Sequence, residues 1–168
     1  MKKRILLIIL ALVLLLVIAA QIFLHTPRFN PLRSYRDDLT VPSNDGKYEL
    51  LIREWDTLGG SGADIYIRGS AWWNRWIAAE VGRASADNYG RPFSWGSYRV
   101  IWEDEQVTIS YCTGTPVQDS DDPSTWRGKI TYNYRPYHYT QIITIMTIVI
   151  AAASLLCIVS HLYRRRKH

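Results

Sequence analysis

Two apolar runs, one near each end of the chain, are each long enough to cross a bilayer, and each carries cations on its outer flank. The first, residues 5–24, follows Lys2, Lys3 and Arg4; the second, residues 142–163, runs into Arg164, Arg165, Arg166 and Lys167. A hydrocarbon core of about 30 Å takes about 20 helical residues at about 1.5 Å each. Gln21 is the only polar side chain in the first run. No charge therefore opposes insertion, which Leu, Ile, Val and Phe each favour by roughly 0.3 to 0.6 kcal/mol near the helix centre. The second run contains Thr144, Thr147, Ser154 and Ser160, hydroxyls able to bond back to the helix's own carbonyls. A cleaved signal peptide also starts with cations, but its apolar stretch is about 7 to 15 residues and ends at a small-x-small site. Here Ala19 and Ala20 are followed by Gln21, Ile22, Phe23 and Leu24. An uncleaved anchor is expected, and with no Cys just after it, not a lipid-modified one.

The distribution of charge sets an orientation. The formal charge is +5, yet three cations lie before the first run and four after the second, with no acids among them. The other thirteen share residues 25–138 with all fifteen acids, leaving that region slightly negative. Short cation-rich flanks stay in the cytoplasm, whereas segments beyond about 60 residues cross regardless of charge. Both termini are therefore expected inside and the middle outside, with Arg28, Arg33 and Arg36 pulling against that placement. The basic balance is a topological signal and gives no footprint for nucleic acid, which needs a basic face on the folded domain.

Between the runs the patterning changes twice. Residues 25–42 carry Pro27, Pro31 and Pro42, which remove backbone donors and block regular helix, and read as a tether between the membrane and residue 43. From residue 43 to 135 short period-two runs alternate with turn residues, the mark of antiparallel sheet. Tyr48, Leu50 and Ile52 alternate with Glu49, Leu51 and Arg53 after the turn at Asn44, Asp45 and Gly46. Residues 58–62 read as a flexible Gly-rich loop, residues 71–81 fit strand or short helix, and residues 83–97 a long loop. The clearest unit is a hairpin. Tyr98, Val100 and Trp102 face one side, Glu103, Asp104 and Glu105 turn the chain, and Val107, Ile109 and Tyr111 return along that side. Paired aromatic and β-branched residues stabilise such a ladder. Residues 113–127 read as a polar loop, and Ile130, Tyr132 and Tyr134 as a last strand. The expected class is α+β: two transmembrane helices flanking a small, mainly antiparallel β domain of five or six strands in one sheet. Residues 136–163 form an aromatic interface followed by the second span, and residues 1–4 and 164–168 the cytoplasmic tails.

The opening Ser43-Asn44-Asp45-Gly46-Lys47-Tyr48, the later Ile67-Arg68-Gly69 and the hairpin from Tyr98 to Ile109 resemble small membrane-anchored proteins of Gram-positive bacteria. These are domains of unknown function whose first strand opens with S-P-D-G-K-Y; similar openings also begin β-propeller blades. The likeness covers about seventy residues. This chain has Asn44 where that family carries Pro, and it adds a second span. The resemblance implies a bacterial plasma membrane and a β fold, and it transfers neither an activity nor site residues.

Candidate chemistry is sparse. Cys112 and Cys157 are the two cysteines, one in the middle region and one in the second run; they cannot meet, and Cys112 is expected as a buried apolar thiol. Trp72, Trp73, Trp76 and Trp95, beside Asp87 and Asn88, are candidates for ligand stacking on sugar rings; indoles equally fill small cores and membrane interfaces. Tyr137 and Tyr139 read as an aromatic belt. Asp119, Asp121 and Asp122 lack the Gly turn and closing Glu of a calcium loop. Glu54 and Asp56 share a face without special context, and His25 and His138 stand apart from any nucleophile. No H-E-x-x-H, G-x-S-x-G, phosphate-loop or paired-Cys spacing occurs. No catalytic residue, metal or cofactor is assigned. In the second run Thr144, Thr147, Ala151 and Ser154 recur at helical steps and are candidates for helix packing, on the first span or on another copy.

The expected function is therefore non-catalytic. A plasma-membrane protein with two spans holds an extracytoplasmic domain for interaction with a protein or peptide, or acts as an accessory subunit. A sensor of envelope glycan or a small ligand using the Trp-rich region is the alternative, and a membrane assembly subunit acting through its helices a third. Expected partners are the lipid bilayer, another membrane or envelope protein and a further copy of the chain.

Overall fold

A computed structural model of the protein describes residues 2–27, 30–86, 90–114 and 126–164. The chain divides into two units, Met1–Thr26 with His138–His168, and Pro27–Tyr137.

The first unit is a pair of helices, α1 (Lys2–His25) and the part of α2 (Arg135–Arg164) beyond Tyr137. Both are long and apolar enough, by length and composition, to cross a membrane. Along α1, Leu7, Ala11, Leu14, Ile18, Gln21 and His25 recur at three- and four-residue steps as partly covered positions, while most of their neighbours are exposed. Along α2, Gln141, Thr144, Ala151 and Ile158 are buried. Such steps form one seam per helix, and the hydrogen bond between His25 Nε2 and Thr144 Oγ1, 3.1 Å, joins the two.

The second unit is built on one hairpin. Strands β3 (Tyr48–Thr57) and β4 (Gly60–Gly69) pair along their whole length, from Tyr48↔Gly69 to Thr57↔Gly60. Strand β5 (Ala78–Ala86) pairs with the far side of β4, with a bulge at Ile65/Tyr66. Strands β1 (Ser34–Tyr35) and β2 (Leu39–Pro42) both pair with β3, completing a five-stranded sheet. A second sheet has the order β6 (Tyr98–Trp102), β7 (Gln106–Tyr111), β8 (Gly128–Asn133). All pairings are antiparallel.

The core lies where these sheets face each other. Leu50, Ile52, Ala63, Ile65, Ile67 and Ala84 from the large sheet are buried, as are Val107, Ile109 and Tyr111 from the small one. Phe93 bridges them, with ring centroids 5.3 Å from Tyr98 and 5.6 Å from Tyr111. Ile130 fills the space left by Gly82, where a Cβ would come within 3.2 Å of it. The opposite face of the large sheet is also covered at its centre, where Leu51, Tyr66 and Ala78 form a buried cluster.

Several expectations change here. The β6–β7 hairpin has the expected register, with Tyr98, Val100 and Trp102 opposite Tyr111, Ile109 and Val107. The strands divide between two sheets, because the central hairpin is buried on both faces and needs a second layer. Residues 25–42 are more than a tether: β1 and β2 belong to the sheet, and Pro42 is accommodated at the end of an edge strand, where a missing donor is tolerated. The Gly-rich stretch is a tight turn at Leu58 and Gly59, with Ser61 and Gly62 already in β4. Gly62 is required there because a Cβ would lie 2.6 Å from the Trp55 ring. The long loop expected from residue 83 starts later, since β5 continues to Ala86. The acidic stretch with Asp119, Asp121 and Asp122, and the pair Asp87 and Asn88, lie outside the described residues.

Ile65 is fully buried and Leu58 fully exposed. Ile65→Ala is expected to destabilise the domain of residues 27–137 by about 2–5 kcal/mol, and Leu58→Ala by less than about 0.5 kcal/mol. Urea unfolding followed by circular dichroism measures both.

Candidate functional site

Three carboxylates of the central hairpin are buried, Glu49, Glu54 and Asp64, and each holds a different irregular segment. Glu54 accepts the N–H of Phe93 (2.8 Å) and of Ser94 (3.0 Å), and the Ser94 hydroxyl, fixing the turn before β6. Glu49 pairs with Arg68 Nε at 2.7 Å and Arg75 Nε at 3.1 Å. Asp64 Oδ2 takes the Arg33 guanidinium and the Tyr35 hydroxyl (3.2 Å), tying down the chain that enters the domain. Further pairs, Arg36 with Asp56 at 2.5 Å and Arg53 with Asp38 at 2.9 Å, fasten the same entering segment. Arg33 also lies over the Trp55 ring, 4.1 Å from its centroid. Arg33 and Arg36, which follow the first apolar run, thus have carboxylate partners inside the fold.

Around Asp64 the outer face of the sheet forms a cleft of about 280 Å³, lined by Asn30, Pro31, Arg33, Tyr35, Asp64, Tyr66 and Arg83. The alternation of β4 places Asp64 and Tyr66 on this face, β1 supplies Tyr35, and β5 supplies Arg83. Asp64 Oδ1 has no hydrogen-bond donor among the described residues. Arg83 Nε lies 3.6 Å from it and also pairs with Glu80 at 3.0 Å. The lining holds two guanidinium groups and one carboxylate, and Glu80, outside the lining, pairs with Arg83. A ligand suited to it presents a donor to the carboxylate and an acceptor to the exposed guanidinium of Arg83. Sequence reasoning missed this site. In a period-two strand Asp64 reads as an ordinary outward residue, and its partner Arg33 lies in a stretch whose prolines suggest only a connector.

A smaller cleft, about 180 Å³, is lined by Ser43, Asn44, Asp45, Trp102, Glu103, Asp104 and Tyr134. The opening Ser43–Tyr48 stretch forms its wall. Ser43 Oγ donates to Asp45 Oδ1 (2.7 Å) and Lys47 N–H donates to the same oxygen (3.1 Å), and these bonds hold the Asp45 carboxyl below its ordinary range. Tyr134 OH reaches the carbonyls of Glu103 and Asp104, at 2.8 and 2.9 Å. The bonds of this cleft close the turn at Gly46, which adopts φ 68°, and the β6–β7 turn.

The four candidate tryptophans do not form one platform. Trp72, Trp73 and Trp76 lie in the turn joining β4 to β5, where Trp76 Nε1 donates to the Trp73 carbonyl at 2.9 Å. Trp95 lies in the turn that Glu54 holds, at the other end of β3. Tyr48, opposite Gly69, marks the first end, and Glu54 is six residues along, about 20 Å of strand. Trp72 and Trp73 are 88% and 50% exposed, Trp95 45%. Tyr137 is no belt residue: it is buried, and its hydroxyl donates to the Ile77 carbonyl at 2.5 Å. Tyr139 is exposed. Cys112 is buried and Cys157 exposed, and neither forms a disulfide among the described residues. Glu54 and Asp56 have structural partners, and no group of His, Cys, Asp or Glu suited to a metal occurs among the described residues. In α2, Thr144 and Ala151 sit on the buried seam, whereas Thr147 and Ser154 are only partly covered and Thr147 Oγ1 bonds back to Ile143 O at 2.8 Å.

Compared with known protein families, with curated proteins and with solved structures, the chain matches none.

Three outcomes are expected. Asp64→Asn leaves Arg33 without its charge partner and should cost about 3 kcal/mol, the lower end for a broken buried pair, while Arg83→Ala, at an exposed partner, should cost under about 1 kcal/mol. Urea unfolding separates them. Burial raises the Tyr132 phenol above its ordinary value of 10.0, and burial chiefly raises Tyr48, Tyr111 and Tyr134 too. The unfolded chain loses these protons first, so stability is intact below about pH 10 and falls as pH rises through the folded values. Tyr132→Phe should shift the alkaline unfolding midpoint upward, read by circular dichroism. Ala151→Leu, on the seam, should reduce cross-linking between cysteines placed on α1 and α2 in membranes, and an unchanged yield counts against the seam.

Proposed function

We propose that this chain is a two-span protein of a bacterial plasma membrane. Both termini are cytoplasmic, and the β domain is displayed outside as a non-catalytic binding module. Two apolar helices flanking an antiparallel domain support the first part, together with the cations outside both apolar runs. The binding role rests on one observation, the cleft over Asp64, where a buried carboxylate oxygen lacks a donor among the described residues and Arg83 remains open at the rim.

A buried acceptor beside an exposed guanidinium favours a neutral group that carries both a donor and an acceptor over a lone phosphate or ammonium ion. A peptide unit meets the demand, giving its N–H to Asp64 and its C=O to Arg83. This supports recognition of a segment of another membrane or envelope protein. A second reading, an envelope glycan, gains from Tyr35 and Tyr66 in the lining, because a vicinal diol offers the same donor and acceptor. The glycan reading thus moves from the tryptophans to the Asp64 cleft.

The test uses the full chain in nanodiscs, free of sugar-headed detergent, with N-acetyl-alanyl-alanine amide, N-acetylglucosamine oligomers and inorganic phosphate as probes. Saturation-transfer NMR should detect one of the neutral probes, and Arg83→Ala should weaken it about tenfold, or about 1.4 kcal/mol. Binding of neither neutral probe, or Arg83-dependent binding of phosphate alone, contradicts the proposal.

A further inference from the structure

We propose that the turn at residues 70–77 is a lipid-contacting device whose Trp72 and Trp73 side chains lie in the headgroup layer of the bilayer. This rests on the two-span reading and adds to it a surface that the binding cleft does not use.

The turn presents its indoles by construction. Asn74 N–H donates to Ala71 O (3.1 Å), Ile77 N–H to Asn74 O (3.0 Å) and Ser70 N–H to Lys47 O (3.1 Å). The Asn74 side chain is buried in the space that Gly69, lacking a Cβ, leaves free. Trp76 spends its N–H on the backbone of Trp73. On this fixed base Trp72 and Trp73 are adjacent and turned outward, Trp72 almost wholly exposed. Two neighbouring exposed indoles mark a contact surface in a soluble setting, and at the level of lipid headgroups indole is a favoured side chain, because one end is apolar and the other wet.

Charge and connectivity select lipid as the occupant. Residues 70–79 contain no acid, and Arg75 is their only charge. The turn itself therefore carries no carboxylate toward the apolar layer, and the charge of Arg75 is held by Glu49 at 3.1 Å. The base of the turn is bonded to the start of the second apolar run's own helix. Ile77 O accepts from Tyr137 OH at 2.5 Å, and Tyr137 belongs to α2. Ile142, where the apolar run begins, follows Tyr137 by five residues, at most about 17 Å of chain. Whatever Tyr137 holds is kept by the chain itself within reach of the headgroups. Trp95, in the turn at the opposite end of β3, has no such link and serves as the internal control.

The full chain is labelled with 5-fluorotryptophan and placed in nanodiscs, with Trp72→Phe, Trp73→Phe and Trp95→Phe assigning the fluorine resonances. A lipid carrying a nitroxide near the top of its acyl chain should broaden Trp72 and Trp73 several-fold more than Trp95. A soluble paramagnetic chelate should do the reverse. If Trp72 and Trp73 ignore the nitroxide lipid and respond to the chelate as Trp95 does, the proposal is overturned. Shielding from both reagents places them against protein and overturns it equally. A chain that fails to enter the bilayer contradicts the two-span reading itself, which separates the two failures.

Discussion

Burying Glu49, Glu54 and Asp64 in one hairpin is the constraint on which the rest of the domain depends. A carboxylate taken out of water without a partner is costly enough to undo a small domain. Some partners are in strands, Arg68 in β4, Tyr35 in β1 and Arg83 in β5, and the others come from segments outside them. Arg33 is 31 residues from Asp64, Arg75 is 26 from Glu49, and the amides of Phe93 and Ser94 are 39 and 40 from Glu54. The central hairpin therefore acts as the frame, and its acids position the entering segment, the tryptophan turn and the turn before β6. The cleft over Asp64 is a by-product of this arrangement, formed where one anchoring carboxylate keeps an oxygen to spare.

Both connections out of the β domain are fastened to the same sheet. On the entering side, Arg33, Arg36 and Asp38 are ion-paired and β1 and β2 are laddered onto β3. On the leaving side, Tyr137 is buried and bonded to Ile77.

What the sequence made legible was local. The two apolar helices follow from length and composition. The β6–β7 hairpin follows from Tyr98, Val100 and Trp102 matched with Val107, Ile109 and Tyr111 across a short acidic turn. The features that escaped depend on distant partners. Leu39 to Pro42 becomes strand because Leu50, Leu51 and Ile52 lie beside it, and Gly62 belongs to a strand because Trp55 fills the space beside it. Tyr137 resembles an interfacial aromatic until Ile77, 60 residues earlier, proves to be its partner. The site was hidden for the same reason: Asp64 is polar at an alternating position, and only the fold brings Arg33, Tyr35 and Arg83 around it. In the second apolar helix, Thr144 and Ala151 were visible by their spacing, whereas Gln141 and Ile158 join the same seam without being small.

Outward display of the domain is the central claim, and its turn at Leu58 supplies a probe, being fully exposed where both native thiols are poorly placed, one buried in the domain and one within α2. Leu58→Cys is treated in intact cells with a maleimide that cannot cross membranes. Labelling before lysis, absent from the unsubstituted chain, is the predicted result. Labelling that appears only after the cells are opened would place the domain in the cytoplasm and contradict the account.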